Sequence, residues 1–140
     1  MSGPTVMSFA YSRGDPPEAN LLFDMRFLRN PHWQEQLRPM SGLDGPVGDY
    51  IAGDPVYDEA MARIEAAILT LLPLYQGDGK APVRIAFGCT GGRHRSVHVA
   101  ERIATRLRAA GFSPNLDHRD LAAPPRDGTE RSAGGKAVGC

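Results

Sequence analysis

A glycine-rich loop with two arginines is the part of this 140-residue sequence best suited to chemistry. It spans residues 88–96, Gly-Cys-Thr-Gly-Gly-Arg-His-Arg-Ser, between an apolar run and an amphipathic segment. Glycines leave backbone N–H groups unobstructed, and a helix N-terminus adds unpaired donors and a favourable dipole. The loop therefore predicts a site for a phosphate-bearing ligand; the alternative is a turn capped by Ser96 with solvated arginines. The predicted ligand contacts in the loop are Thr90, Gly91, Gly92, Arg93, His94, Arg95 and Ser96.

Cys89 and Arg95 also resemble the phosphate loop of cysteine-dependent protein tyrosine phosphatases, because five residues separate them and Ser96 follows. In such an enzyme the cysteine attacks phosphorus as a thiolate, which a helix N-terminus and guanidinium groups would stabilise. Asp24 is the candidate general acid. Gly88 stands where those enzymes usually have histidine. We favour the alternative in which Cys89 merely ends a strand, and we assign no enzymatic activity from the sequence.

His94 and His98 are four residues apart, a spacing that binds a metal ion when a third ligand converges. Local spacing fixes no third ligand, so we predict neither a metal site nor a cofactor. We expect exposed or anion-contacting histidines. A His94 beside a phosphate would titrate near its ordinary pKa of about 6.5.

The segments around the loop predict an α/β fold. Apolar, β-prone runs predict strands over 5–9, 20–25, 83–87 and 115–118. Apolar residues at three- and four-residue intervals predict helices over 56–72 and 96–110, and a short helix could start near Pro46. Ligands bind at the carboxyl edge of open parallel sheets, where the loop would lie. We predict a single-domain three-layer sandwich with a mainly parallel sheet over 1–120, and a disordered tail, rich in Pro, Gly and Ala, over 121–140.

Overall composition gives little direction towards a partner. Sixteen acidic residues balance sixteen basic residues, so the whole chain has no field that attracts nucleic acid. The stretch from Arg84 to Arg119 nevertheless holds seven arginines against Glu101 and Asp117, and could face an anion. No apolar run is long enough for a membrane helix and no secretion signal is recognisable, so we expect a cytoplasmic protein with no membrane partner.

Three motifs together resemble the C-terminal domain of the RapZ family of RNase adapter proteins. They are DMRFLRNPHW (24–33), LRPMSGLD (37–44) and FGCTGGRHRSVHVAE (87–101), and the likeness runs from about Ser8 to Arg119. The resemblance implies a domain that senses glucosamine-6-phosphate and binds small regulatory RNA, with a fold similar to a sugar-phosphate subdomain of phosphofructokinase. It also implies self-association and presentation of the RNA to an endonuclease.

Residue by residue, the resemblance implies that Asn30 and His32 reach the sugar phosphate together with the loop. Cys89 and His94 match family positions that serve binding and structure, which disfavours hydrolysis. No Walker motif occurs in the sequence, so no ATP or GTP binding is implied. The Lys/Arg-rich end typical of RNA-binding members is replaced by LAAPPRDGTERSAGG, and losing such charges weakens RNA affinity strongly. The remaining candidate RNA contacts are Arg102, Arg106 and Arg119.

The sequence therefore predicts a regulatory domain that binds a phosphorylated amino sugar such as glucosamine-6-phosphate. Small-RNA binding as an RNase adapter and assembly into a homo-oligomer are further expectations from the resemblance. The alternative is a cysteine-dependent phosphatase that uses Cys89, Arg95 and Asp24.

Overall fold

Seven helices and strands carry the fold in a computed structural model that describes residues 3–77 and 82–122. In chain order they are β1 (Thr5–Ala10), β2 (Leu21–Asp24), α1 (Gly45–Ala52), α2 (Tyr57–Gln76), β3 (Arg84–Cys89), α3 (Arg95–Ala109) and β4 (Asn115–His118). Short 3₁₀ helices follow the first two strands, at Tyr11–Arg13 and Pro31–Trp33. No helix in these two described ranges is long and apolar enough to cross a membrane.

All four strands run parallel, in the order β2-β3-β1-β4. In the register, Thr5 of β1 lies opposite Arg84 of β3 and Asn115 of β4. Helix α3 therefore joins β3 to β4 across β1, as a parallel connection requires. Because the strands are parallel, the residues that follow β1, β2 and β3 all lie at one edge of the sheet.

The two faces of the sheet are covered differently. On one face, Val6, Ile85 and Phe87 belong to the main core, which also contains buried residues of all three α-helices. On the other face, Met7, Phe9 and Ala86 form a smaller cluster. That cluster is covered by Tyr11 and Ala19, from the segment between β1 and β2. The structure confirms the predicted α/β fold with a parallel sheet, and the layers are consistent with a three-layer sandwich.

The predicted elements agree closely with the structure. β4 has the predicted bounds, and α3 starts at Arg95, one residue before the predicted start. α2 runs to Gln76, past the predicted end at residue 72, with Pro73 inside the helix. The short helix expected near Pro46 is α1. The predicted disordered tail lies outside the described residues, apart from positions 121 and 122.

Candidate functional site

The glycine-rich loop follows β3 at the carboxyl edge of the sheet, where the segments after β1 and β2 also end. The backbone N–H of Ser12, after β1, donates to the carbonyl of Thr90 at 3.1 Å. The N–H of Met25, after β2, donates to the carbonyl of Gly88 at 2.8 Å. These bonds bring three chain segments together around the loop, as expected for a parallel sheet.

Two glycines shape the loop. Gly92 has φ +73°, a backbone conformation that residues other than glycine rarely adopt. A Cβ added to Gly92 would lie 2.7 Å from the Cβ of Ala10. Within the described part of the chain, the N–H groups of Gly91 and Gly92 donate no hydrogen bond. Both groups lie just before the N-terminus of α3, whose dipole favours an anion. These two N–H groups are therefore candidate donors to a phosphate.

Arg93 and His94 fasten the loop to a distant segment. Arg93 NH2 donates to the carbonyls of Pro39 and Met40, at 3.2 and 3.3 Å. His94 Nε2 lies 2.8 Å from the Met40 carbonyl and donates to it. The N–H of Gly42 donates back to the Arg93 carbonyl at 2.7 Å. Part of the hydrogen-bonding capacity predicted for an anion is thus used within the protein.

His94 is buried, with 2% of its surface exposed. Burial lowers its pKa from 6.5 to about 4; the Met40 carbonyl opposes this shift, and the charges of Arg93 and His32 add to it. His98 is also largely enclosed, and its Nε2 lies 2.7 Å from the Tyr57 hydroxyl. The alternative of exposed histidines is therefore wrong for His94 and His98. Contact with an anion, and a His94 that titrates near 6.5 beside a phosphate, stay predictions. His94 is buried because it packs against segment 39–42.

Arg95 is buried at the first position of α3, with 4% of its surface exposed. Its NH1 donates to the carbonyl of Arg26 at 2.7 Å and to that of Leu28 at 3.0 Å. Burial lowers the pKa of Arg95 to about 10, against the opposing effect of the Asp24 carboxylate. The guanidinium is therefore charged at neutral pH, and it ties the segment after β2 to the glycine loop.

The cysteine and its presumed acid have different surroundings. Cys89 is fully buried at the end of β3; the Ser96 N–H donates to its Sγ at 3.2 Å, and Ser96 Oγ lies 3.0 Å away. Asp24 pairs with Arg26 at 2.6 Å. The hydrogen bond from Arg26 lowers the pKa of Asp24, so this carboxyl group is ionised at neutral pH. A general acid must carry a proton, which Asp24 in this pairing does not.

His32 lies in the 3₁₀ helix after β2, and Asn30 directly precedes that helix. The Asn30 side chain accepts from the His32 N–H at 3.0 Å and caps that helix. The His32 ring contacts the ring of Trp33 edge to face, with centroids 5.0 Å apart. His32 is near enough to His94 for its charge to lower the pKa of His94, so this helix lies beside the loop. Within residues 3–77 and 82–122, no three His, Cys, Asp or Glu side chains are grouped to hold a metal ion.

The three candidate RNA contacts lie in two places. Arg102 and Arg106 of α3 share Glu65 of α2, at 2.7 and 3.8 Å. A cavity of about 450 Å³ lies beside this cluster. Arg119 follows β4 instead, where it donates to the carbonyl of Asp15 at 2.7 Å and pairs with Asp120 at 3.0 Å. All three guanidinium groups therefore already contact acceptors of the protein.

Sequence reasoning did not identify two contributors to the site. Tyr11 lies at the carboxyl edge, with the Arg26 guanidinium 3.9 Å from its ring centroid. Its position directly after β1 could have indicated it. Gly42 contacts the start of α3 so closely that a Cβ would lie 2.4 Å from the His94 carbonyl oxygen. No local sequence signal indicates this contact, because Gly42 and His94 are far apart in the chain.

The fold and the site define a class of small parallel α/β domain whose glycine loop leads into a helix at the carboxyl edge of the sheet. The sequence model of the RapZ C-terminal domain matches residues 4–122, and the chain belongs to this family. The chain is 62% identical over 131 residues to a nucleotide-binding protein of Rhizorhabdus wittichii, covering 94% of the chain and 42% of the relative. A nucleotide-binding protein of Novosphingobium aromaticivorans is 61% identical over 123 residues, covering 88% of the chain and 40% of the relative.

A third relative, a nucleotide-binding protein of Sphingopyxis alaskensis, is 56% identical over 125 residues. This match covers 89% of the chain and 40% of the relative. The chain thus spans about two-fifths of the length of these curated relatives. The activity that their name states is therefore not assigned to this chain by the similarity.

Proposed function

We propose that this RapZ C-terminal domain is a regulatory domain that binds a phosphorylated metabolite at the glycine loop. The observation that carries the proposal is the buried, charged Arg95 at the start of α3. Beside it, the N–H groups of Gly91 and Gly92 donate no hydrogen bond to any residue within 3–77 or 82–122. Backbone donors, a helix N-terminus and a guanidinium are the groups that bind phosphate in proteins. Family membership supports a sugar phosphate as the ligand, in particular glucosamine-6-phosphate.

The sugar would extend from the loop towards the 3₁₀ helix that contains His32 and is capped by Asn30. Both side chains are partly exposed, so polar groups remain within reach of a ligand. Hydroxyl and amino groups of a sugar need such partners, because a buried polar group without a hydrogen bond is costly. Selectivity for an amino sugar is thus proposed to lie with these two residues, and phosphate affinity with the loop.

Calorimetric titration with a panel of phosphates tests the proposal. We expect glucosamine-6-phosphate to bind at least about tenfold more tightly than inorganic phosphate, since the sugar adds hydrogen bonds. Equal affinity for inorganic phosphate and every sugar phosphate would contradict sugar sensing, and would leave a scaffold whose site takes an anion. Asn30→Ala and His32→Ala should reduce the sugar preference, whereas Glu59→Ala, on the exposed side of α2, should keep it.

An RNA-associated adapter role is a second part of the proposal, together with self-association and an endonuclease partner. Arg102 and Arg106 lie on one helix next to an open cavity, but Glu65 neutralises part of their charge. If they contact RNA phosphates, Glu65→Gln should strengthen RNA binding and make it more salt-dependent. Unchanged RNA affinity in Glu65→Gln and in Arg106→Ala would argue against RNA binding by Arg102 and Arg106.

One observation favours the competing phosphatase function: Ser96 contacts the sulfur of Cys89 within the Cys-x5-Arg loop. The ionised Asp24 and the complete burial of Cys89 weigh against it. A binding function requires neither a proton donor nor an accessible nucleophile. We therefore propose binding as the function of the loop.

A further inference from the structure

Tyr11 and Arg26 form a layered pair beside the glycine loop. The Arg26 guanidinium carbon lies 3.9 Å from the centroid of the Tyr11 ring. At this distance the planar cation is attracted by the electron-rich face of the aromatic ring. The Tyr11 ring therefore packs against one face of the guanidinium.

Asp24 fixes the orientation of the same guanidinium. Arg26 Nε donates to Asp24 Oδ1 at 2.9 Å, and NH2 donates to Oδ2 at 2.6 Å. Two parallel hydrogen bonds hold the two planar groups in one arrangement. The Arg26 side chain still keeps 48% of its surface exposed. Because Tyr11 lies on one face and Asp24 on one edge, we assign the exposed surface to the opposite face.

The backbone joins this pair to the proposed phosphate site. The carbonyl of Arg26 accepts from Arg95 NH1 at 2.7 Å. Ser12, which follows Tyr11, donates its N–H to the carbonyl of Thr90 at 3.1 Å. The charge of the Arg26 guanidinium also helps to lower the pKa of Arg95, so the guanidinium lies near the site in which we place the phosphate.

We propose that the exposed face of Arg26 stacks on the planar base of a nucleotide whose phosphate occupies the glycine loop. The proposal rests on the proposed phosphate site and extends its ligands to nucleotides, either free or at an unpaired position of an RNA strand. Every base has a π face, so stacking on a guanidinium accepts different bases. A guanidinium fixed by Tyr11 and Asp24 loses little further freedom when a base binds.

Calorimetric titration with ribose 5-phosphate and with adenosine 5′-monophosphate separates the contribution of the base from that of the phosphate. We expect the nucleotide to bind about tenfold more tightly, in the range that stacking of one base gives. In Arg26→Ala this ratio of affinities should fall to about one, since the stack is gone while the carbonyl that holds Arg95 remains. Arg63→Ala removes an exposed arginine paired with Glu59 on α2 and should keep the tenfold ratio.

Two RNA ligands distinguish the source of the base: a short 5′-phosphorylated single strand and an abasic strand of the same length. If the base raises the affinity of both the mononucleotide and the strand, relative to ribose 5-phosphate and to the abasic strand, the site accepts free nucleotides. If the base raises the affinity of the strand alone, the ligand is an unpaired nucleotide of RNA. Both results require that Arg26→Ala removes the gain.

The inference is overturned if phosphates bind through Arg95 but a base adds nothing, or if Arg26→Ala keeps the gain. If no phosphate compound binds at all, the proposed phosphate site is wrong and the inference with it. Should Arg26→Ala fail to fold by circular dichroism, Tyr11→Leu provides the second variant. It removes the aromatic support while Arg26 and its pairing with Asp24 stay, and it should reduce the nucleotide's advantage.

Discussion

Arg95 NH1 donates to the backbone carbonyl of Arg26 at 2.7 Å, across 69 positions of the chain. The arginine expected to bind phosphate is thus also the residue that holds the neighbouring segment in place. One guanidinium could serve both roles because it has five donors in a rigid, planar arrangement. Under the proposed function, binding of an anion and the arrangement of the edge of the sheet would therefore be linked.

Arg95→Lys should weaken both tasks while keeping the positive charge. A lysine cannot reproduce the paired bonds from Arg95 to the carbonyls of Arg26 and Leu28, so we expect a loss of about 1.5–3 kcal/mol of unfolding free energy. Urea denaturation measures the loss. The matched control is Arg63→Lys, which changes an exposed arginine on α2 and should leave the free energy of unfolding unchanged. Equal stability of Arg95→Lys and the parent protein would show that the two carbonyl bonds contribute nothing net.

Gly92→Ala should damage the loop more than an alanine at an unconstrained glycine. The residue has φ +73°, and a Cβ would lie 2.7 Å from the Ala10 Cβ, so both strain and overlap result. We expect destabilisation of about 1–3 kcal/mol and loss of phosphate binding. Gly45→Ala is the control, since nothing lies within 4 Å of its added Cβ. Thermal unfolding and titration of the two variants should therefore differ clearly.

Acidification should destabilise the protein through His94. Its pKa is about 4 in the folded chain and 6.5 when unfolded, so the unfolded chain binds more protons between these values. The contribution of the neutral His94 to the free energy of unfolding is therefore fully present above pH 6.5. It falls by about 3 kcal/mol as the pH drops towards 4. Burial lowers the pKa of His98 too, which adds to the fall in the same direction.

His94→Gln supplies the check on this pH effect. The amide can still donate to the Met40 carbonyl but does not titrate, so the fall in stability with acid should be smaller than in the parent protein. Denaturation curves at a series of pH values between 4 and 7 measure it. An identical pH dependence in both proteins would mean that His94 is not the group that titrates.

No phosphatase activity is expected. The carboxyl group of Asp24 is ionised by its pairing with Arg26, so it has no proton for a leaving oxygen. A chromogenic phosphate monoester should be hydrolysed no faster by the parent protein than by Cys89→Ser or Asp24→Asn. Hydrolysis that disappears in Cys89→Ser would instead establish the enzyme. Ligand binding that survives in Cys89→Ser without turnover would support the sensor.

The sequence predicted the elements and the edge of the sheet where the site lies, because both depend on local patterns. The interval of apolar residues indicated α3 to within one residue, and the β-prone run 115–118 indicated β4. The parallel order of strands then placed the glycine loop at the carboxyl edge.

The environment of the loop could not be predicted in this way. Arg93 and His94 contact Met40, more than fifty positions earlier, and nothing in the local sequence indicates that pairing. The depressed pKa of His94 follows from that packing and was therefore missed as well. Tyr11 beneath Arg26 depends on the connection of β1 to β2 passing over the open face of the sheet.

Calorimetric titration of glucosamine-6-phosphate into the parent protein and into Arg95→Ala tests the central claim most directly. We expect binding at one site per chain and a loss of affinity of at least about tenfold in Arg95→Ala, as for removal of a charged hydrogen-bond donor. Circular dichroism of the variant shows whether it is folded, and Arg95→Lys is titrated in its place if it is not. Unchanged affinity of the folded variant for glucosamine-6-phosphate and for every other phosphorylated metabolite tried would contradict the claim.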